Sequence, residues 1–160
     1  MDKKHYSPLL VACAGGQSEE TISLLIDLGA DVNATTLNDS TIFHLACLNG
    51  HDQIMKDLIS THKLSMKLNS KGYHPLHYAA SCKQGSFCLE LLVGLNVDVN
   101  LASFTDGRTP MHLAALHGRT SCAQILFSNG ASVNCKDNDN NTPLHLAAMA
   151  GQTSMIEFLI

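Results

Sequence analysis

The sequence has no apolar run approaching the ~18 residues that a membrane span needs, and its first residues, "MDKKHYSPLL", lack the charged, apolar and small-residue succession of a secretory signal. It also lacks the short motifs of common catalytic sites: there is no G-x-G-x-x-G, G-x-x-x-x-G-K-[ST], H-E-x-x-H or G-x-S-x-G. These gaps argue against a nucleotide-binding, zinc-protease or hydrolase reading. No C-x-x-C spacing groups the six cysteines, so neither a zinc knuckle nor a redox pair is indicated. With no signal peptide read at the start, the six cysteines suggest a reducing compartment, cytoplasmic or nuclear, where the sequons at Asn33, Asn38 and Asn140 would be silent. Excess positive charge is missing too. The formal net charge is −4, which argues against nucleic acid.

What the chain does have is self-similarity. "RTPMHLAALHG" from Arg108 returns as "NTPLHLAAMAG" from Asn141, and looser copies begin at Ser7 (SPLLVACAGG), Thr41 (TIFHLACLNG) and His74 (HPLHYAASCK). The first motif residue falls at 7, 41, 74, 109 and 142, a period of 33 to 35. Each copy is followed by a second apolar segment, such as "CLELLVGLNVDVN" or "CAQILFSNGASVN". In each copy a Ser, Thr or His precedes Pro or Ile, the arrangement of an N-cap followed by a first helical position that tolerates proline. Small pairs such as Ala79-Ala80 and Ala114-Ala115 allow close helix approach, and Cys122, Ala123, Ile125 and Leu126 fall on one helical stripe. Polar segments such as "NCKDNDNN" supply residues that accept positive φ. The unit is turn, helix, turn, helix, and one unit cannot bury its own stripe, so five units form one elongated domain.

T-P-L-H-x-A at this period resembles the ankyrin repeat, over residues 7 to 160. The resemblance implies an all-α solenoid of stacked helix-turn-helix units with β-turn or hairpin fingers. Its repeats run approximately 7–39, 40–72, 73–107, 108–140 and 141–160, the last incomplete, with further repeats expected in a parent chain. It also implies that His44, His77, His112 and His145, all at the third helical position, bond to backbone near the next turn. Cys13, Cys47, Cys88 and Cys122 read as small buried hydrophobes, while Cys82 and Cys135 fall beside turns and are expected to be more exposed. A zinc site from His77, Cys82 and Cys88 has no spacing behind it. No cofactor, metal or catalytic residue is expected.

The same resemblance places a protein partner on a concave groove made by the fingers and first helices. Mapped onto this sequence, the finger positions are Leu37, Asn38, Ser40, Ser70, Lys71, Tyr73, Thr105, Asp106, Arg108, Asn138, Asp139 and Asn141. The inner-helix positions are Leu48, Asn49, Ser81, Cys82, Leu116, His117 and Met149. Tyr73 and Arg108 are residue types favoured as interface anchors. Leu48, Leu116 and Met149 can make an apolar floor. Lys63, Lys67, Lys71 and Lys83, with no acid between Asp57 and Glu90, offer a basic strip to an acidic partner. Asn33, Asn100 and Asn134, each eight residues after a Leu, match the pattern of asparaginyl hydroxylation in ankyrin proteins.

Departures from the pattern mark irregular places. "THKLSM" stands where other units have an ending of the Gly-Ala-Asp-Val-Asn type, and Ile42 and His74 replace Pro and Thr, which predicts weaker caps and a softer junction in the second and third units. Extra residues near Lys83 to Gly85 and in "LASFTDG" predict an enlarged finger around Phe104. "HGR", "AQ" and "C-K-D" resemble the long ankyrin-repeat regulatory subunits of protein phosphatase 6, so a non-catalytic scaffold in a regulatory or adaptor subunit is the leading expectation. A cytoskeletal or membrane-protein-linked array, and the ankyrin domain of a larger enzyme, are the alternatives.

Overall fold

The computed structural model describes residues 7–61, 66–84 and 86–160. Among these residues there are ten helices, in chain order α1 (Pro8–Ala14), α2 (Glu19–Asp27), α3 (Ile42–Asn49), α4 (Asp52–Thr61), α5 (Pro75–Ser81), α6 (Ser86–Gly94), α7 (Pro110–Leu116), α8 (Thr120–Ser128), α9 (Pro143–Met149) and α10 (Thr153–Leu159). None is long and apolar enough to cross a membrane. The odd-numbered helices pack on one another in series and form an inner layer, and the even-numbered helices form a parallel outer layer. This is the all-α solenoid that the period predicts. The "THKLSM" ending and Lys63 fall largely outside the described residues, as does Gly85.

The inner helices are short because each is bounded by a cap and a small-residue turn. Ala46, Ala79, Ala80, Ala114, Ala115 and Ala147 are all fully buried at the inner-layer contacts, as are Cys13 and Cys47. Large side chains fill the space between layers, among them Ile22, Ile54, Met55, Leu58, Leu89, Leu92 and Leu126. Each fully buried Leu or Ile of this kind contributes about 1.5–3 kcal/mol, shared between packing within its own unit and against the neighbouring one.

The inner helices are capped at their N-termini, including where the sequence looks weakest. The backbone N–H of Thr41 donates to His44 Nδ1 at 3.0 Å, that of Thr109 to His112 Nδ1 at 3.2 Å, and that of Thr142 to His145 Nδ1 at 3.3 Å. At the position predicted to be weak, His74 does the work of threonine: its Nδ1 accepts from the Leu76 N–H at 3.1 Å, while its own N–H donates to His77 Nδ1 at 3.0 Å. Ile42 in place of proline leaves Thr41 in the same extended conformation as the other caps. The expectation of weak caps in these two units is corrected, because an imidazole acceptor satisfies the same orphan amides.

Candidate partner-binding face

The third-position histidines fix how one unit stands on the next. With Nδ1 accepting from the cap, the proton must sit on Nε2. His44 Nε2 donates to the Tyr73 carbonyl at 2.9 Å, His77 Nε2 to the Arg108 carbonyl at 3.2 Å, and His112 Nε2 to the Asn141 carbonyl at 3.0 Å. The role implied by the resemblance is therefore present at these three positions. His145 is exposed and makes only its cap. Burial lowers the pKa of His44 and pushes His77 down to about 4. Burial, aided by His77 nearby, brings His74 to about 4 as well.

The carbonyls that receive these bonds close the fingers. Each finger is a tight reversal in which an amide meets a carbonyl four or five residues on: Thr36 to Ser40, Asn69 to Tyr73, Ser103 to Arg108 and Asp137 to Asn141, all at 2.9 Å. The third spans one residue more, as the extra residue in "LASFTDG" predicts. A polar side chain nucleates each turn. Asn69 Oδ1 accepts from the Lys71 and Tyr73 amides, and Asp137 Oδ1 from the Asp139 and Asn141 amides. In the longer finger this task passes to Asp106, whose Oδ1 accepts from the Ser103 hydroxyl and, at 3.2 Å, from the Arg108 amide.

Successive fingers are stitched together by backbone. The Ser70 amide donates to the Asn38 carbonyl, Phe104 to Lys71 and Asn138 to Asp106, at 3.0, 3.0 and 2.9 Å. Gly72 makes the second of these approaches possible: its φ is 78°, and a Cβ there would collide with the backbone and ring of Phe104.

Tyr73 and Arg108 have a different role from free anchors. The Tyr73 hydroxyl donates to Asp106 Oδ2 at 2.6 Å, and its ring meets His77 edge-on at 5.2 Å. Burial and the Asp106 carboxylate raise its pKa to about 12. Arg108 Nε lies 3.6 Å from Asp106 Oδ2 and 3.5 Å from Asp137 Oδ2. Their polar ends thus join three consecutive fingers, leaving the Tyr73 ring to line an open pocket. Two other mapped positions are corrected outright. Ser40 is buried, its hydroxyl accepting from Asn69 Nδ2 at 3.1 Å, and Cys82, expected near the surface, is buried beside α5. Asn49 is half-buried and donates to the Cys13 carbonyl at 2.7 Å, joining units rather than presenting an amide.

The remaining mapped positions stay open. Leu37, Asn38, Ser70, Lys71, Thr105, Asn138 and Asp139 are exposed along the fingers, with Asn141 half-buried; Leu48, His117 and Met149 are exposed on the inner helices, with Ser81 and Leu116 half-buried. Where α3, α5 and α7 meet the Tyr73 finger, an open pocket of about 180 Å³ is lined by Leu48, Tyr73, His77, Tyr78, Ser81, Leu113 and His117, and is mainly apolar. Tyr78 and Leu113 were not among the mapped residues. The signal for Tyr78 lies in the sequence: it replaces the Leu that follows the third-position His in the other three histidine-bearing units.

Among the described residues, Lys71 and Lys83 lie at opposite ends of α5. Lys71 sits at a fingertip before α5, whereas Lys83 follows α5 and shares a polar hollow with Arg119. Burial and the guanidiniums of Arg119 and Arg108 lower the pKa of His117. Cys88 donates to Asp52 Oδ1 at 3.1 Å, and its contact with Cys47, together with burial, raises its pKa well above the ordinary thiol range. Cys13 is pushed up to about 12 by burial, so these thiols act as packing groups. Among the described residues, no three His, Cys, Asp or Glu side chains gather where they would hold a metal ion. Of the asparagines that match the hydroxylation pattern, Asn100 ties two units together: its Nδ2 donates to the Gly130 carbonyl at 3.0 Å and its Oδ1 accepts from the Ser132 amide at 2.9 Å. Asn33 and Asn134 are exposed in turns.

Comparison with known proteins agrees with this geometry. The family model for ankyrin repeats, three copies, matches residues 9–103 and again 82–160. Among curated relatives, the chicken (Gallus gallus) nuclear factor NF-kappa-B p105 subunit is 33% identical over 129 residues, covering 79% of this chain and 13% of that protein. Alpha-latrotoxin-Lg1a of Latrodectus geometricus is 35% identical over 118 residues, 72% of this chain and 9% of the toxin. The target of rapamycin complex 2 subunit AVO2 of Saccharomyces cerevisiae is 32% identical over 120 residues, 71% of this chain and 27% of that subunit. The chain thus spans a small part of the length of each relative it matches. Its five units, their histidine ladder and these matches show that the chain belongs to the ankyrin-repeat family, a non-catalytic protein-interaction module.

Proposed function

We propose that this chain is the protein-binding segment of a regulatory or adaptor protein of the cytoplasm or nucleus, and that it holds its partner on the concave face between the fingers and the inner helices. The observation that carries this reading is the preformed apolar pocket flanked by exposed Leu48 and His117, with exposed finger positions alongside. Tyr73 and Tyr78 on its walls are held by hydrogen bonds to Asp106 and Asn69, which lowers the ordering cost of a bound partner. Similarity to a nuclear factor subunit and to a target of rapamycin complex 2 subunit supports the regulatory or adaptor role. Repeats of this family are a non-catalytic interaction module, so this reading assigns any chemistry of the parent protein to residues outside the repeats.

Photocrosslinking tests the face. A benzophenone amino acid placed at Leu48 or His117, in the parent protein within cells, is expected to capture a discrete partner set. The same group at Gln124, exposed on the outer helix α8, is expected to capture none of it. Equal capture from Gln124 would overturn the assignment.

A further inference from the structure

We propose that the concave pocket takes the bulky apolar side chain of an acidic, extended peptide segment, whose carboxylates are directed to Arg119 and Lys83. This rests on the concave-face reading above and adds the chemistry of the occupant. The pocket, at about 180 Å³, has room for one leucine or phenylalanine side chain; a cavity of about 150 Å³ accommodates a benzene ring. Its walls are held in place. Tyr73 is fixed by Asp106, and Tyr78 by the Asn69 amide, which donates to its hydroxyl at 3.1 Å.

The second component is charge. A polar hollow of about 240 Å³ lined by Lys83, Arg119, Thr120 and Ser121 adjoins the apolar pocket, since Arg119 Nε donates to the carbonyl of Ser81, which lines the pocket, at 3.1 Å. Among the described residues neither Lys83 nor Arg119 makes an ion pair; the two ion pairs present both belong to Arg108. His117, on the pocket wall, feels the positive field of Arg119 and Arg108. Nearby acids are already engaged: Asp52, whose charge reaches Cys82 beside Lys83, accepts from the Cys88 thiol at 3.1 Å, Asp106 is held by Tyr73, Ser103 and Arg108, and Asp137 by Arg108 and Asn141. In a chain of net charge −4, this corner is a local positive exception beside an apolar pocket. A polyanion such as nucleic acid would want a longer row of cations than these two. An acidic peptide with a single apolar anchor matches both components.

Phage display of random linear peptides tests this, with selection on the wild-type chain and binding compared on Leu48→Trp, which fills the pocket, and on Lys83→Glu and Arg119→Glu. Circular dichroism checks that each variant folds; Lys83 is exposed, so its reversal should not disturb packing. The enriched peptides are expected to share one bulky apolar residue flanked by Asp or Glu. Their affinity should fall by about tenfold with Leu48→Trp and by about three- to tenfold with either charge reversal, with a further loss at high salt. Neutral or basic peptides that still depend on Leu48 would overturn the acidic assignment while leaving the concave face standing. A selection in which no peptide depends on Leu48 would overturn both.

Discussion

At the scale of single residues, the histidines and the Tyr73 clasp show how polar groups set the spacing of units whose bulk is apolar. His44, His74 and His77 must be neutral for Nδ1 to accept a backbone amide, and protonation would point an N–H at another N–H. Their pKa values are lowered in the folded state, to about 4 for His74 and His77 against an ordinary 6.5, so between those values the unfolded chain binds more protons. Their contribution is complete above pH 6.5 and is lost as the pH falls toward 4. His112 runs the other way: burial opposes its charge, but its contacts with Cys135 and the Asn141 carbonyl outweigh burial and raise its pKa, which offsets part of the trend. The urea midpoint is expected to be lower at pH 5 than at pH 7, with His77→Gln flattening the dependence; equal midpoints would refute the neutral ladder. The clasp gives a second prediction. Tyr73→Phe removes one hydroxyl donated to a partly exposed carboxylate and should cost about 1 kcal/mol, whereas Asp106→Ala strands Tyr73, Ser103 and Arg108 together and should cost about 2 kcal/mol or more. Equal losses in chemical denaturation would mean that Asp106 acts on Tyr73 alone.

At the scale of elements, the finger is the part whose construction varies while its outline is kept. Thr36, Asn69 and Asp137 each close a turn of one length, and where the sequence inserts a residue Asp106 takes over the task from Ser103. Because the Phe104 amide reaches the Lys71 carbonyl across Gly72, Gly72→Ala faces both an unfavourable φ and a backbone collision. A loss of about 2–3 kcal/mol is expected in urea denaturation, well beyond that of a Gly→Ala change at a strain-free surface site; a neutral effect would show that the fingers are not stitched as described. The helices, the histidine ladder and the longer finger were legible in the sequence because each is a repeated or locally encoded feature. The clasp was not, since Tyr73, the Asp106 and Arg108 pair, and Asp137 lie about one unit apart and meet only when three units stack. Ser40 and Asn49 were misplaced for the same reason. Their own surroundings look exposed, and it is the neighbouring unit, through Asn69 and through the Cys13 carbonyl, that engages them. The pocket was half legible: Tyr78 in place of Leu marks it, but its second wall at Leu113 belongs to the next unit.

At the scale of the whole molecule, the core is a row of interfaces, each between neighbours, with Ile22 serving the first two units and Leu89 and Leu92 the middle. Stability in such an array is a sum of unit and interface contributions, so the position of a defect decides how far its effect spreads. Ile22→Ala, at one end, should cost about 2–5 kcal/mol and show in hydrogen exchange as faster opening of α1 and α2, with α7 to α10 protected as before. Leu89→Ala removes a comparable side chain from the centre, between α5 and α6, where both flanking interfaces meet. Opening should then spread in both directions, to α3 and α4 on one side and to α7 and α8 on the other. The same defect would disturb the pocket, because its walls come from α3, α5 and α7, so partner binding should weaken with Leu89→Ala more than with Ile22→Ala at matched fractional unfolding. If both variants instead raise exchange uniformly through all ten helices, the array unfolds as one cooperative block, and the pocket owes its shape to the whole stack rather than to the three units that line it.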